Sequence, residues 1–175
     1  FIIEHKMYSI NYLATKEVFY SIEMTNLLLK SLNLPLDSNF SNLTLPPGRN
    51  SVFKGIKNTV IIDSTYNATP DGMKTILEMF DKYPSKDKWL VLGDMIELGN
   101  EEREEHERLG GLINSMELKK VILIGPRVSK YTYPKLKKAE KFLMPKEGLD
   151  YILQNIKGGE TILFKGARFL EGIIE

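Results

Sequence analysis

Three short apolar runs, each closing on glycine, constrain this chain most: Trp89-Leu90-Val91-Leu92-Gly93, Val121-Ile122-Leu123-Ile124-Gly125 and Thr161-Ile162-Leu163-Phe164-Lys165-Gly166. In a strand, neighbouring side chains point to opposite faces, so a strand apolar throughout needs cover on both sides. The segments between the runs supply that cover. Thr69-Pro70-Asp71 followed by Met73, Ile76, Leu77 and Phe80 reads as a helix start with an apolar stripe behind it. The charged stretch from Asn100 to Arg108 continues into Leu109, Leu112, Ile113 and Met116, an amphipathic helix, and Gly148 to Asn155 forms another. Glu140 to Leu143 adds a strand, and Ser51 to Lys54 and Thr59 to Asp63 flank Gly55-Ile56-Lys57-Asn58 as a hairpin. The alternation predicts an α/β fold, Rossmann-like, with a mostly parallel sheet and helices on both faces.

The first quarter has another rhythm. Apolar residues recur at helical spacing from Met7 to about Leu32, which predicts a helix or helix pair ended by Asn33-Leu34-Pro35. Pro46-Pro47-Gly48 then reads as a hinge. The expected division is a short helical segment over residues 1–46, the tail of a preceding domain, and an α/β domain over 47–175. The opening residue, Phe1, fits a piece of a larger protein.

Charge and composition exclude several functions. With 24 Lys+Arg against 23 Asp+Glu, the net charge of +1 gives no broad footprint for nucleic acid or anionic lipid. The absence of cysteine excludes disulfides, thiolate catalysis and Cys-ligated zinc. No apolar run reaches the ~18 residues needed to cross a bilayer, and no signal peptide opens the chain, so a soluble cytoplasmic protein is expected.

In parallel sheets, ligands sit beyond the carboxyl ends of the strands, where four loops here carry polar groups. Asp63-Ser64-Thr65-Tyr66-Asn67 could hold ribose hydroxyls and adenine edges beside the free N–H groups of a helix start, or make an ordinary turn. Gly93-Asp94-Met95-Ile96-Glu97-Leu98-Gly99 holds two carboxylates open to acid/base or metal roles, as plain loops also do. Gly125-Pro126-Arg127 is the third loop. Lys165-Gly166-Ala167-Arg168 sets two cations near a possible anionic ligand, or turns the chain into a C-terminal helix. Arg49, after the hinge, could fork onto phosphate or remain in solvent. His106 lies in Glu101-Glu102-Arg103-Glu104-Glu105-His106-Glu107-Arg108 without the second His of the helical zinc pattern. A solvated helix face with i,i+4 pairs is expected there, and no metal site is assigned. Neither a Gly-x-x-x-x-Gly-Lys-Ser/Thr nor a Gly-x-Gly-x-x-Gly phosphate motif occurs.

In order, Pro47-Gly48-Arg49, Ile61-Ile62-Asp63-Ser64-Thr65-Tyr66-Asn67-Ala68-Thr69-Pro70, Leu92-Gly93-Asp94-Met95-Ile96-Glu97-Leu98-Gly99 with His106 and Gly110, and Lys165-Gly166-Ala167-Arg168 with Glu171 resemble the C-terminal domain of the Mur ligases. The third block resembles the branch that adds D-alanyl-D-alanine. The resemblance spans Pro47 to Glu175, and the helical lead resembles the tail of the family's central ATPase domain. It implies a three-domain enzyme that uses ATP and Mg2+ to activate a peptide carboxylate as an acyl phosphate. The amine of D-alanyl-D-alanine then joins a UDP-linked muramoyl peptide in peptidoglycan synthesis.

Position by position, the resemblance implies Arg49 near the phosphates, Asp63 with its neighbours Ser64 and Tyr66 at the ribose, and Asn67 on the adenine side. Gly93, Asp94, Met95, His106, Lys165, Gly166 and Arg168 would face the dipeptide. Ser64 stands where the family has a second Asp, and Asn50 where it has Met. The family keeps its phosphate loop and magnesium ligands in the central domain, so no catalytic residue is assigned here and residues 1–175 alone are expected not to catalyse. Two other readings are a ligase of the same superfamily with a different amino acid, as in folylpolyglutamate synthases, and a non-catalytic Rossmann-like binding module.

Overall fold

The structure, a computed structural model, describes residues 2–3, 5–8, 10, 14–36, 40, 46–167, 170 and 173. The chain divides into two compact units, Phe1–Pro46 and Pro47–Glu175. No helix among the described residues is long and apolar enough to cross a membrane.

In the first unit, β1 (Ile2–Ile3) pairs antiparallel with β2 (Lys6–Met7), and α1 runs over Lys16–Ser31. Met7 is therefore a strand residue opposite Ile2, not the start of a helix. His5, at φ 67°, lies in the turn that lets the two short strands pair, a backbone feature that apolar spacing does not encode. The end of α1 follows expectation. Asn33 takes the left-handed conformation at φ 55°, and the Leu34 amide reaches back to the Leu29 carbonyl, which satisfies the last turn before Pro35.

The second unit is built on a six-stranded sheet in the order β3-β4-β8-β5-β6-β7. Its strands are β3 (Ser51–Lys54), β4 (Val60–Ser64), β5 (Lys88–Gly93), β6 (Lys120–Ile124), β7 (Glu140–Phe142) and β8 (Thr161–Lys165). β3 and β4 form the antiparallel hairpin; all other pairings are parallel. The last strand, β8, lies inside the sheet, with Lys165 level with Ser64 on one side and Leu92 on the other. All residues of β5 and β8 are buried, as their unbroken apolar runs require.

Alternate side chains go to opposite layers. Trp89, Val91, Ile122, Ile124, Ile162 and Phe164 form one core with Ile152 of α4 (Pro145–Asn155) and Ile156 just after it, joined by Leu170 and Ile173. The opposite set, including Leu90, Leu92, Leu123 and Leu163, is equally buried, as are Met73, Ile76, Leu77 and Phe80 of α2 (Pro70–Asp81). Lys88, on that same side of β5, closes the end of α2. Its Nζ lies 2.6 Å from the Asp81 carbonyl and 3.5 Å from that of Phe80, a cation at a helix C-terminus. At this end of the sheet the Trp89 indole donates to Asp87 at 2.8 Å, and the Lys120 ammonium stands 5.0 Å from the ring centroid.

α3 (Glu102–Asn114) follows β5. α4 begins at Pro145, three residues before the expected Gly148, because proline suits a first helical turn and Glu147 accepts from the Met144 amide at 3.3 Å. Between β6 and β7 the chain makes a π-helical turn, Val128–Thr132, and a 3-10 turn, Tyr133–Lys135. No periodic apolar stripe announces these, and the sequence reading placed no element there.

Leu163 is fully buried on the central strand. Leu163→Ala is expected to lower the unfolding free energy by about 3 kcal/mol through lost burial and a cavity, measured by urea denaturation.

Candidate functional site

The order of the sheet opens a crevice over the end of β8. The chain leaving β4 enters α2 and that leaving β5 enters α3, whereas Leu170 and Ile173 after β8 pack into the α4 layer. Neighbouring strands thus send their continuations to opposite faces, leaving a gap at the carboxyl edge where α/β proteins bind ligands. Lys165 stands at its floor.

One wall is the segment from Gly48 to Thr69. Gly48 has φ 76°, and a Cβ there would come within 2.9 Å of the Tyr66 nitrogen, so glycine permits the approach. The Tyr66 amide donates to the Gly48 carbonyl at 3.1 Å. The Arg49 guanidinium lies 3.9 Å from the centroid of the Tyr66 ring, a stacked, exposed pair at the rim. Asp63 and Ser64 are buried at the end of β4. Asp63 Oδ1 accepts from both the amide and the hydroxyl of Thr65, at 3.0 and 2.7 Å, while its Oδ2 has no hydrogen-bond donor among the described residues. Asn67 Oδ1 accepts from the Ala68 amide at 2.8 Å, and the Thr69 hydroxyl caps α2 by accepting from Gly72 at 3.2 Å.

The other wall is held by Asp94 and His106. Asp94 is buried and caps the turn after β6: Oδ1 accepts from the amides of Arg127 at 3.0 Å and Val128 at 2.8 Å. Gly125 makes room for it, since at φ 133° a Cβ there would lie 2.6 Å from Asp94 Oδ1. Arg127 binds Glu102 at 2.6 Å and lies 3.6 Å from Asp94. Its hydrogen bond and charge hold the Glu102 carboxyl below the usual carboxylate range. His106 has no exposed surface. The expected solvated face exists around it, with Arg103 paired to Glu107 at 2.7 Å, but His106 itself points inward. Its Nε2 accepts from the Met95 amide at 3.3 Å, which makes Nδ1 the donor to the Glu102 carbonyl at 2.7 Å. Single-helix spacing could not reveal this, because the partner amide belongs to another loop.

Gly93 and Gly166 close the floor. A Cβ on Gly166 would lie 2.8 Å from Gly93 Cα, so the ends of β5 and β8 touch through backbone alone. The Lys165 ammonium turns toward the first wall and donates to the Asn67 carbonyl at 2.5 Å. Burial pushes its pKa down to about 8, against a smaller upward pull from Asp63. Arg168 and Glu171 lie outside the described residues. The crevice thus brings together Arg49, Asp63, Ser64, Tyr66, Asn67, Gly93, Lys165 and Gly166, whereas Asp94, Met95 and His106 are buried behind it as framework. Sequence reasoning missed Gly125 and Glu102 as the supports of that framework. The Gly-Pro pair after an apolar strand was the available signal for the first. A separate cleft of about 350 Å³ lies between α2 and α3, lined by Pro70, Lys74, Met95 and Arg108 among others.

The family described as Mur ligase, glutamate ligase domain, matches residues 48–168, and the chain belongs to the Mur ligase family. It is 34% identical over 131 residues to the UDP-N-acetylmuramoyl-tripeptide--D-alanyl-D-alanine ligase of Rickettsia prowazekii, covering 73% of this chain and 29% of that protein. It is 33% identical over 123 residues to the ligase of the same name from Buchnera aphidicola, covering 67% of this chain and 26% of that protein. Among solved structures, MurF ligase from Thermotoga maritima in complex with ADP superposes with a TM-score of 0.81 at 25% identity, over 95% of this chain and 40% of that one. The chain thus spans less than half the length of each of these three relatives.

Asp94→Ala leaves the Arg127 and Val128 amides without their acceptor and is expected to cost about 2 kcal/mol of stability in urea denaturation. Lys165 gives a pH signature. Folded, it releases its proton near 8, against an ordinary value of 10.5, so between those values the unfolded chain binds more proton and rising pH favours the native state. The stability of the wild type relative to Lys165→Met is expected to rise by about 3 kcal/mol across this window, read from denaturation at pH 7.5 and pH 10.5.

Proposed function

We propose that this chain is the C-terminal part of an ATP-dependent ligase that joins D-alanyl-D-alanine to UDP-N-acetylmuramoyl-tripeptide. Residues 47–175 form its nucleotide- and substrate-closing domain, and residues 1–46 the tail of its central domain. The observation that carries the reading is the match to two ligases of that name, at 34% identity over 131 residues and 33% over 123. Superposition on a MurF ligase that holds ADP supports a nucleotide at this domain. The first unit supports its own part of the proposal. Tyr20, Met24, Leu27 and Leu28 of α1 are each more than half exposed, a surface suited to burial against further protein.

The crevice residues fit a nucleoside polyphosphate. Arg49 is a forked cation at the rim for phosphate, held flat by Tyr66. Asp63 Oδ2 is an acceptor suited to a ribose hydroxyl, which compensates for Ser64 in place of a second carboxylate. Asn67 lies beside the loop's outer edge for the base. Bound ATP supplies the phosphoryl group that activates the acceptor carboxylate. The protein's share is to orient the nucleotide and, on closure, to keep water from the activated acid. Among the described residues no group of three or more His, Asp or Glu is arranged to hold a metal ion. Gly93, Gly166 and Arg168 remain the proposed contacts to the dipeptide.

Full-length enzyme supplied with ATP, UDP-N-acetylmuramoyl-tripeptide and D-alanyl-D-alanine is expected to release phosphate only when the dipeptide is present. Phosphate release that ignores the dipeptide, or follows a different amino acid, overturns the assignment. Arg49→Ala is expected to raise the KM for ATP roughly tenfold or more, the loss of a charge-assisted contact.

A further inference from the structure

We propose that Lys165 is a positioning residue for loop 64–69: its ammonium pins the Asn67 carbonyl, so that the order of the whole loop follows the charge on this one side chain. The inference deepens the nucleotide reading above and rests on it only in naming what the loop faces.

Most hydrogen bonds of the loop are local. Thr65 bonds to Asp63, and Ala68 to the side chain of Asn67. Other bonds tie the loop to distant segments. The Tyr66 amide meets the Gly48 carbonyl at the rim, and Lys165 Nζ meets the Asn67 carbonyl from the centre of the sheet. The second anchor is rigid at its base, because β8 is paired on both sides and Lys165 is level with Ser64 and Leu92. It also comes from the turn proposed to face the dipeptide, so one side chain links the two halves of the crevice.

The charge on this anchor is finely held. The side chain is largely buried, which opposes the ammonium, and burial brings its pKa to about 8. Nζ also lies near the first turn of α2: a Cβ built on Gly72 would be 4.0 Å from it, and a helix N-terminus disfavours a cation. Asp63 on β4 supports the charge. The other charged groups on the surrounding elements are engaged or directed elsewhere. Asp94 after β5 accepts from Arg127 and Val128, Asp71 and Lys74 of α2 line the cleft toward α3, and Arg49 stacks on Tyr66. A hydrogen bond from an ammonium is stronger than one from a neutral amine, so the tie weakens as the proton leaves.

Solvent-exchange NMR on the full chain tests this at the amides of Thr65, Tyr66 and Ala68, with Leu90 and Leu163 as core references. In the wild type, protection at the three loop amides is expected to fall about tenfold from pH 7 to pH 9 while the core references hold. Lys165→Met is expected to lose that protection already at pH 7 and to show no further change with pH, while its core references stay protected. Wild-type loop protection that is equal at pH 7 and pH 9 overturns the proposal and needs no variant to fold. So does a Lys165→Met protein whose loop stays as protected as the wild type. Titration of the full-length enzyme with ADP separates the two claims. If the loop responds as stated and ADP does not bind, the positioning role stands and the nucleotide reading falls.

Discussion

The parallel pairing of β8 on both sides is the constraint on which the rest of the domain depends. Without it the β3–β4 hairpin has no neighbour, β5 loses one of its two partners, and the backbone groups of both strands lack acceptors in an interior without water. Because β8 comes last in sequence and stands near the middle in space, every other strand must leave a slot for it. The slot also sets the site. A central strand whose continuation goes to one face, between two whose continuations go to the other, cannot avoid leaving a gap above its end.

The layered fold was legible because its signals are local. Each apolar run became a strand within a residue or two, and the stripe behind Thr69-Pro70 became α2. What could not be read was anything decided by distant backbone. Met7 has helical spacing to Ile10, yet the turn at His5 sets it opposite Ile2. The π-helical turn at Val128–Thr132 has no periodic pattern of its own, and a carboxylate more than thirty residues upstream, on Asp94, stabilises its start.

The same division runs through the site. The polar strand ends were visible as a set, and Arg49, Asp63, Asn67 and Lys165 do share one crevice. Their separate parts were not visible. The resemblance set Asp94 and His106 facing the dipeptide; in the structure both are buried, Asp94 accepting from the Arg127 and Val128 amides and His106 from the Met95 amide. Lys165 looked like a cation for an incoming ligand, while its ammonium bonds inward to the Asn67 carbonyl. Whether a side chain serves the ligand or the scaffold depends on which backbone groups the fold brings within 3 Å of it, and a linear sequence carries that only through the final arrangement.

Trp89, the single tryptophan of the chain, sits at the opposite edge of the sheet from the crevice, with Asp87 on its indole nitrogen and the Lys120 ammonium over its ring. Its fluorescence is therefore a built-in reporter of sheet assembly, with no aromatic interference from a second indole. Because β5 carries it five residues from the loops proposed to hold ligand, the same emission is blind to occupancy of the crevice, and the optical signal separates folding from binding in one sample.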